Sequence, residues 1–245
     1  MQAIAHARRA LLLGLALAGP AAATANITVF YNERPPYLIA APDGSVSGLT
    51  GTPAGRAFAA AGIPFIWAKT PTNRQLASIK QNKAMECAVG WFKNPEREQF
   101  AQFTKAIYRD RPAVALANKG FQVSQYDTLE RVLATRGIRV LLKENFSYGP
   151  FIDNSIARFM PHLTHTTAEN ALMVEMIRKG RADLMFMAEE EADYLLANAN
   201  ATAGSGDFHL LRFSDMPAGE KRYIMCSKQV PDEIIERLNR AITFE

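Results

Sequence analysis

The residues of this 245-residue chain that could do covalent or metal chemistry are its four histidines and two cysteines, and their spacing supports neither. His6 lies near the start of the chain, His162 and His165 fall in a predicted loop with no cysteine or carboxylate cluster beside them, and His209 stands alone. No phosphate-binding glycine loop, zinc spacing or nucleophile elbow occurs. No metal, cofactor or catalytic group is therefore expected. What remains is the chemistry of non-covalent capture, carried by polar and aromatic groups at the ends of predicted strands, where open α/β sheets receive ligands. Glu33, Arg34 and Tyr37 follow the first strand, and the turn Gly90-Trp91-Phe92 leaves the third. Asn145-Phe-Ser147-Tyr148-Gly149 joins a strand to a helix, so Ser147 and the first helical amides are placed to receive an anion. Helix capping alone also explains a serine there. Glu189-Glu-Glu191 opens a helix, where acids are favoured by the helix dipole in any case.

The elements that must position these groups alternate. Asn26–Tyr31 is a β-branched and aromatic strand halted by Pro35-Pro36. Pro53 to Ala61 is a helix closed by Gly62, Ile63–Trp67 a strand, Asn73 to Gln81 a helix, and Cys87–Gly90 a short buried strand. This order predicts a parallel sheet covered by helices. The pattern then repeats: strand 137–142, helix 150–159, helix 168–179 with Leu172, Met173, Met176 and Ile177 on one face, strand 183–187 and helix 189–199. Two helix-to-strand passages also match, Ile79-Lys-Gln-Asn-Lys-Ala84 and Ile177-Arg-Lys-Gly-Arg-Ala182, which favours two similar lobes over one large sheet. The extended segments 111–119 and 221–228 are the expected crossings, two paired strands forming a hinge. A final helix, 231–242, returns to the first lobe, and 198–207 reads as a surface loop.

Arg8-Arg9, the apolar run 10–19 and a small-residue tail to Ala25 read as a secretory signal peptide, too short to span a bilayer. Cleavage before Asn26 leaves a chain whose formal charge, +4 for the whole sequence, falls as Arg8 and Arg9 depart. So mild a balance provides no footprint for nucleic acid. Export puts Cys87 and Cys226 in an oxidising compartment, where an even pair invites a disulfide. Two separate buried thiols explain the same residue types equally well.

Several of these features together resemble the amino-acid-type (family 3) periplasmic binding proteins of ABC importers. They are Pro35-Pro36-Tyr37 after the first strand, Asp43-Gly44 with Gly48-Leu49, Asn94-Pro-Glu-Arg97 leading into Phe103-Thr-Lys-Ala-Ile-Tyr108, and Lys179-Gly-Arg-Ala-Asp183 before an apolar strand. The resemblance implies a type II periplasmic-binding-protein fold, α/β, with two Rossmann-like lobes joined by a two-strand hinge. Lobe one is then 26–112 with 226–245, and lobe two is 113–225. It implies that the return strand lies beside the strand holding Cys87, which favours a Cys87–Cys226 bridge. It assigns Arg97 to the ligand carboxylate and Ser147 to the second lobe's ligand contact, with Tyr148 beside it.

The chain also departs from that family. Trp91 and Phe92 replace a serine-rich turn, implying an apolar or aromatic wall. The position of the family's ammonium-binding aspartate falls on Ala188, leaving Glu189 as the substitute from one residue on. The expected function is capture of a small polar, amino-acid-like molecule, an amino acid or a related amine or carboxylate, in the periplasm by a monomer that delivers it to an ABC permease. A ligand sensor reporting to a membrane receptor is the alternative, and a dehydratase-type enzyme on the same fold a lesser one.

Overall fold

The structure is a computed structural model that describes residues 26–122, 127–199 and 207–244; the expected signal peptide, 1–25, and most of the 198–207 loop lie outside the described residues. Strand β1 (Ile27–Tyr31) ends before Pro35-Pro36, whose peptide bond is cis. A small hairpin, β2 (Ile39–Ala40) and β3 (Val46–Ser47), precedes α1 (Gly51–Ala60). Then come β4 (Phe65–Lys69), α2 (Thr72–Gln81), β5 (Glu86–Phe92), the single turn α3 (Pro95–Glu98) and β6 (Ala101–Arg109). The second lobe holds β7 (Ala113–Asn118), α4 (Leu129–Leu133), β8 (Arg139–Lys143), α5 (Pro150–Phe159), β9 (His162–Thr166), α6 (Asn170–Arg178), β10 (Leu184–Ala188), α7 (Glu189–Ala199) and β11 (Phe208–Leu211). The chain returns to the first lobe in β12 (Lys221–Ser227) and α8 (Asp232–Ala241).

Each lobe is a five-stranded sheet, ordered β4-β1-β5-β12-β6 and β11-β7-β10-β8-β9. Alternate residues of the strands feed two apolar layers per sheet, as a period of two requires. In the first lobe Val29, Cys87, Val89 and Ile224 pack under α1 and α8, whereas Phe30, Ala88, Trp91 and Met225 pack under α2. The second sheet is covered likewise, by α4 and α5 on one face and α6 and α7 on the other.

The predicted duplication has a backbone cause. Asn82 and Gly180 occupy the same place in the two matched passages, and both adopt positive φ, 53° and 66°. Each ends a helix so that a buried isoleucine, Ile79 or Ile177, leads directly into the next strand.

Five expectations need correction. The sheets are mixed rather than parallel, because β12 runs antiparallel to β5 and β6, and β7 antiparallel to β10 and β11. β12 belongs to the first sheet along its whole length, so the second lobe ends before residue 221 rather than at 225. The extended segments 111–119 and 221–228 do not pair with each other; the crossings meet where the Asp110 amide donates to the Glu220 carbonyl, 3.0 Å, just beyond the β6–β12 pairing of Arg109 with Lys221. His162 and His165 lie on the edge strand β9, which is polar and so gives no apolar alternation to read. Leu172 is exposed, while Met173 and Ile177 carry the buried face of α6.

Cys226 stands opposite Cys87 in the β5–β12 ladder, Cα to Cα 4.0 Å, and the two form a disulfide buried beneath α1 and α8. The bridge closes a loop of 139 residues that contains the whole second lobe. Tying such a loop restricts the unfolded chain. Replacing both cysteines by alanine is expected to lower unfolding free energy by about 2–4 kcal/mol in urea titrations; an unchanged midpoint would mean that the bridge adds nothing to stability.

Candidate functional site

The space between the lobes is lined by strand ends, and its best-defined polar residue is set by local sequence. Asn94 caps α3 by accepting the Arg97 amide at 2.9 Å, and Pro95 occupies the first helical position, where its missing N–H costs nothing. This turn folds the Arg97 side chain back over Trp91, whose ring centre lies 4.8 Å from the guanidinium. Arg97 is only 6% exposed. Its described hydrogen bonds go to carbonyls, Phe92 at 2.8 Å and, across the cleft, Asn145 at 3.3 Å. Burial pulls its pKa down to about 10, with Glu96 and Asp153 opposing from a distance. Among the described residues no carboxylate pairs with it.

Other charges here are paired, and several pairs span the lobes. Arg34 donates to both oxygens of Glu191 at 2.8 and 2.7 Å, and its guanidinium stacks on Tyr37 and Phe146. Asn170 braces Glu191 from the side at 2.6 Å. Burial works to raise the Glu191 carboxyl, but Arg34 outweighs it and holds the group below the ordinary carboxylate range. Glu190 accepts from the hydroxyls of Tyr37, 3.1 Å, and Tyr108, 3.0 Å, and from the Arg111 amide. Lys143 pairs with Glu169 at 2.7 Å and reaches Thr72 of the first lobe at 3.4 Å, while Asn32 reaches Glu169 at 3.3 Å. Burial lowers the Lys143 pKa against the pull of Glu169. Within the first lobe Arg222 is clamped by Asp110, 2.6 and 2.7 Å, donates to the Gly90 carbonyl at 2.9 Å, and stacks on Tyr37 and Phe92.

Two adjoining cavities result. One faces Arg97, Trp91, Gly90, Phe146 and Ser147. The other lies toward the crossings against Tyr148, Phe151, Phe186, Met216 and Glu220; Arg34, Phe92, Phe146, Ser147 and Arg222 line both. Gly90 sits at φ 84°, and a β-carbon there would stand 3.3 Å from the Thr50 hydroxyl oxygen.

Of the predicted residues, Arg97, Arg34, Tyr37, Gly90, Trp91, Phe92 and Ser147 line the first cavity, and Tyr148 the second. Tyr37 is buried. Trp91 is fixed by its Nε1, which donates to Gln75 at 3.1 Å. Ser147 donates to Asp153 at 2.6 Å, and Asp153 also accepts the Tyr148 amide, so the start of α5 already has its anion. Glu33 lines neither cavity: it pairs with exposed Lys69 at 2.7 Å. Glu189 lines neither as well. It binds Arg212 at 2.6 Å and faces Arg111, because the 100° advance per helical residue turns Glu190 and Glu191 inward and leaves Glu189 outside. Residue-by-residue reading overlooked Lys143, Arg222, Asp110 and Glu191. The signal for Lys143 and Arg222 was a cation closing or opening an apolar strand segment, Val140-Leu-Leu-Lys143 and Arg222-Tyr-Ile-Met225.

No protein-family model matches the chain, and no curated protein matches it in sequence. Solved structures do match the whole fold. An ancestral arginine-binding protein bound to arginine has TM-score 0.68 at 14% identity, covering 89% of this chain and 90% of that one. A periplasmic His/Glu/Gln/Arg/opine family-binding protein from Silicibacter pomeroyi, in complex with lysine, has TM-score 0.65 at 17% identity, covering 89% of each. A structure from work on glutathione import through a cystine ABC importer of Streptococcus mutans has TM-score 0.68 at 13% identity, covering 88% of this chain and 86% of that one. The chain therefore has the two-lobe α/β fold of periplasmic binding proteins.

The Arg34–Glu191 pair makes closure dependent on charge. Breaking a buried pair by removing one partner costs about 3–5 kcal/mol when the other stays buried, a cost the protein avoids by letting the lobes part. Glu191→Gln is expected to give a larger radius of gyration in solution scattering. Because the Glu191 pKa is depressed below 4.5 in the closed form, its contribution is complete above that value and is lost as pH falls through the lowered one. The unmutated protein should therefore expand in acid. Equal radii for both proteins at neutral pH would show that the pair does not hold the lobes together.

Proposed function

We propose that this chain is an exported solute-binding protein whose lobes close over a small molecule bearing a carboxylate, which it carries in the periplasm to a membrane importer. The observation that carries this reading is Arg97: a guanidinium almost wholly out of water, facing an interlobe cavity and bonded only to carbonyls. An ionised group in that position is costly unless something supplies the opposite charge, and a planar guanidinium matches a carboxylate through two parallel hydrogen bonds. Aromatic faces of Trp91, Phe92 and Phe146 would flank the rest of the molecule.

Three further observations support the reading. Fold relatives include proteins solved with arginine and with lysine and one from work on an ABC importer. The start of the chain reads as a signal peptide. Among the described residues no helix is long and apolar enough to cross a membrane.

The test is thermal denaturation of the purified protein against amino acids, small carboxylates and amines. A bound molecule at about 100 times its dissociation constant should stabilise the fold by roughly 2.7 kcal/mol. Arg97→Gln is expected to abolish that shift while leaving the ligand-free protein no less stable, since the substitution removes a desolvated charge that no carboxylate offsets. A ligand that stabilises Arg97→Gln as strongly as the parent would place binding elsewhere.

A further inference from the structure

The lining of the Arg97 cavity carries a charge pattern that narrows the ligand. Four cationic side chains border it, Arg34, Arg97, Lys143 and Arg222, and among the described residues no aspartate or glutamate does. The counter-ions of three stand behind their cations rather than in the cavity wall: Glu191 behind Arg34, Glu169 behind Lys143 and Asp110 behind Arg222. These acids are spent. Both oxygens of Glu191 are taken by Arg34, those of Asp110 by Arg222, and Glu190 is occupied by two tyrosine hydroxyls and the Arg111 amide. Only Arg97 is left without a carboxylate.

An α-amino acid would bring its carboxylate to Arg97 and its ammonium one carbon away, inside the same ring of cations. The ammonium would lose its water without meeting a carboxylate, and like charges close together in a desolvated space repel strongly. Asp110 and Glu220 line the neighbouring cavity and not this one, and Asp110 already holds Arg222 with both oxygens. Ala188, at the end of β10, brings no charge to the second lobe's side.

Resting on the reading of Arg97 as the carboxylate clamp, we infer that the ligand is a small organic acid with no α-ammonium group, carrying one net negative charge and an apolar or aromatic body. The aromatic wall of Trp91, Phe92 and Phe146 suits such a body. The inference separates this chain from amino-acid capture while keeping the same fold and the same clamp.

The experiment compares acids with their α-amino counterparts: 3-phenylpropionate with phenylalanine, and 4-methylpentanoate with leucine. Calorimetry and thermal denaturation on the purified protein measure each pair at neutral pH. At least one acid should bind, at least about tenfold more tightly than its amino counterpart, a difference of about 1.4 kcal/mol, and Arg97→Gln should lose it while retaining the parent's circular dichroism. Equal or tighter binding by the amino member overturns the inference and leaves the solute-binding reading intact. Binding by no member of any pair overturns both.

Discussion

The Arg34 guanidinium and the Glu191 carboxylate come from different lobes, and both are nearly withdrawn from water, so each depends on the other's lobe to remain ionised at low cost. The same holds for Glu190 under Tyr37 and Tyr108, for Lys143 beside Thr72 and for Arg97 beneath the Asn145 carbonyl. In the shut arrangement the opposite lobe supplies the hydrogen bonds; in a parted arrangement water would. A cleft built from such groups exchanges one set of polar partners for another on opening. A molecule that bonds better to one arrangement than to the other would shift the balance between them.

The first lobe anchors this clasp. Asp110 begins one crossing and Glu220 ends the other, and their backbones are hydrogen-bonded. Asp110 also grips Arg222 on β12, and Arg222 reaches the Gly90 carbonyl at the turn that presents Trp91 and Phe92. On the same strand the disulfide joins β12 to β5. Crossing, ligand turn and return strand are thus one connected unit, and the cavity wall they form is set by the same bonds that hold the crossings.

Against that paired background Arg97 is the exception. The charges around it are matched before any ligand arrives, whereas its own hydrogen bonds are made to neutral carbonyls. Among the charges lining that cavity, Arg34, Lys143 and Arg222 each have a carboxylate and Arg97 has none. At the position where the resemblance expected an ammonium partner, Ala188 is uncharged and Glu189 turns away to Arg212.

Much of the scaffold was legible because its signals are local. Asn94-Pro95 caps a turn wherever the chain folds, Asn82 and Gly180 stop helices through their own tolerance of positive φ, and α5 begins at its proline as predicted. The edge strands β9 and β11 and the long β6 escaped notice, since a polar edge such as His162-Leu-Thr-His-Thr166 shows no alternation and its extension depends on a neighbour. By itself the sequence determined the alternation of elements, the duplicated passage into a buried strand, and the capped turn that carries Arg97. Only the tertiary structure decided that β12 lies in the first sheet, that Cys226 meets Cys87, that Glu191 rather than Glu189 turns to meet Arg34, and that Lys143 and Arg222 line the Arg97 cavity. The reason is physical: a cap or a helix stop is made by neighbours a few residues apart, whereas the pairing of Arg222 with Asp110, 112 positions away, needs the first lobe assembled from both ends of the chain, and that of Arg34 with Glu191, 157 away, needs the two lobes to meet.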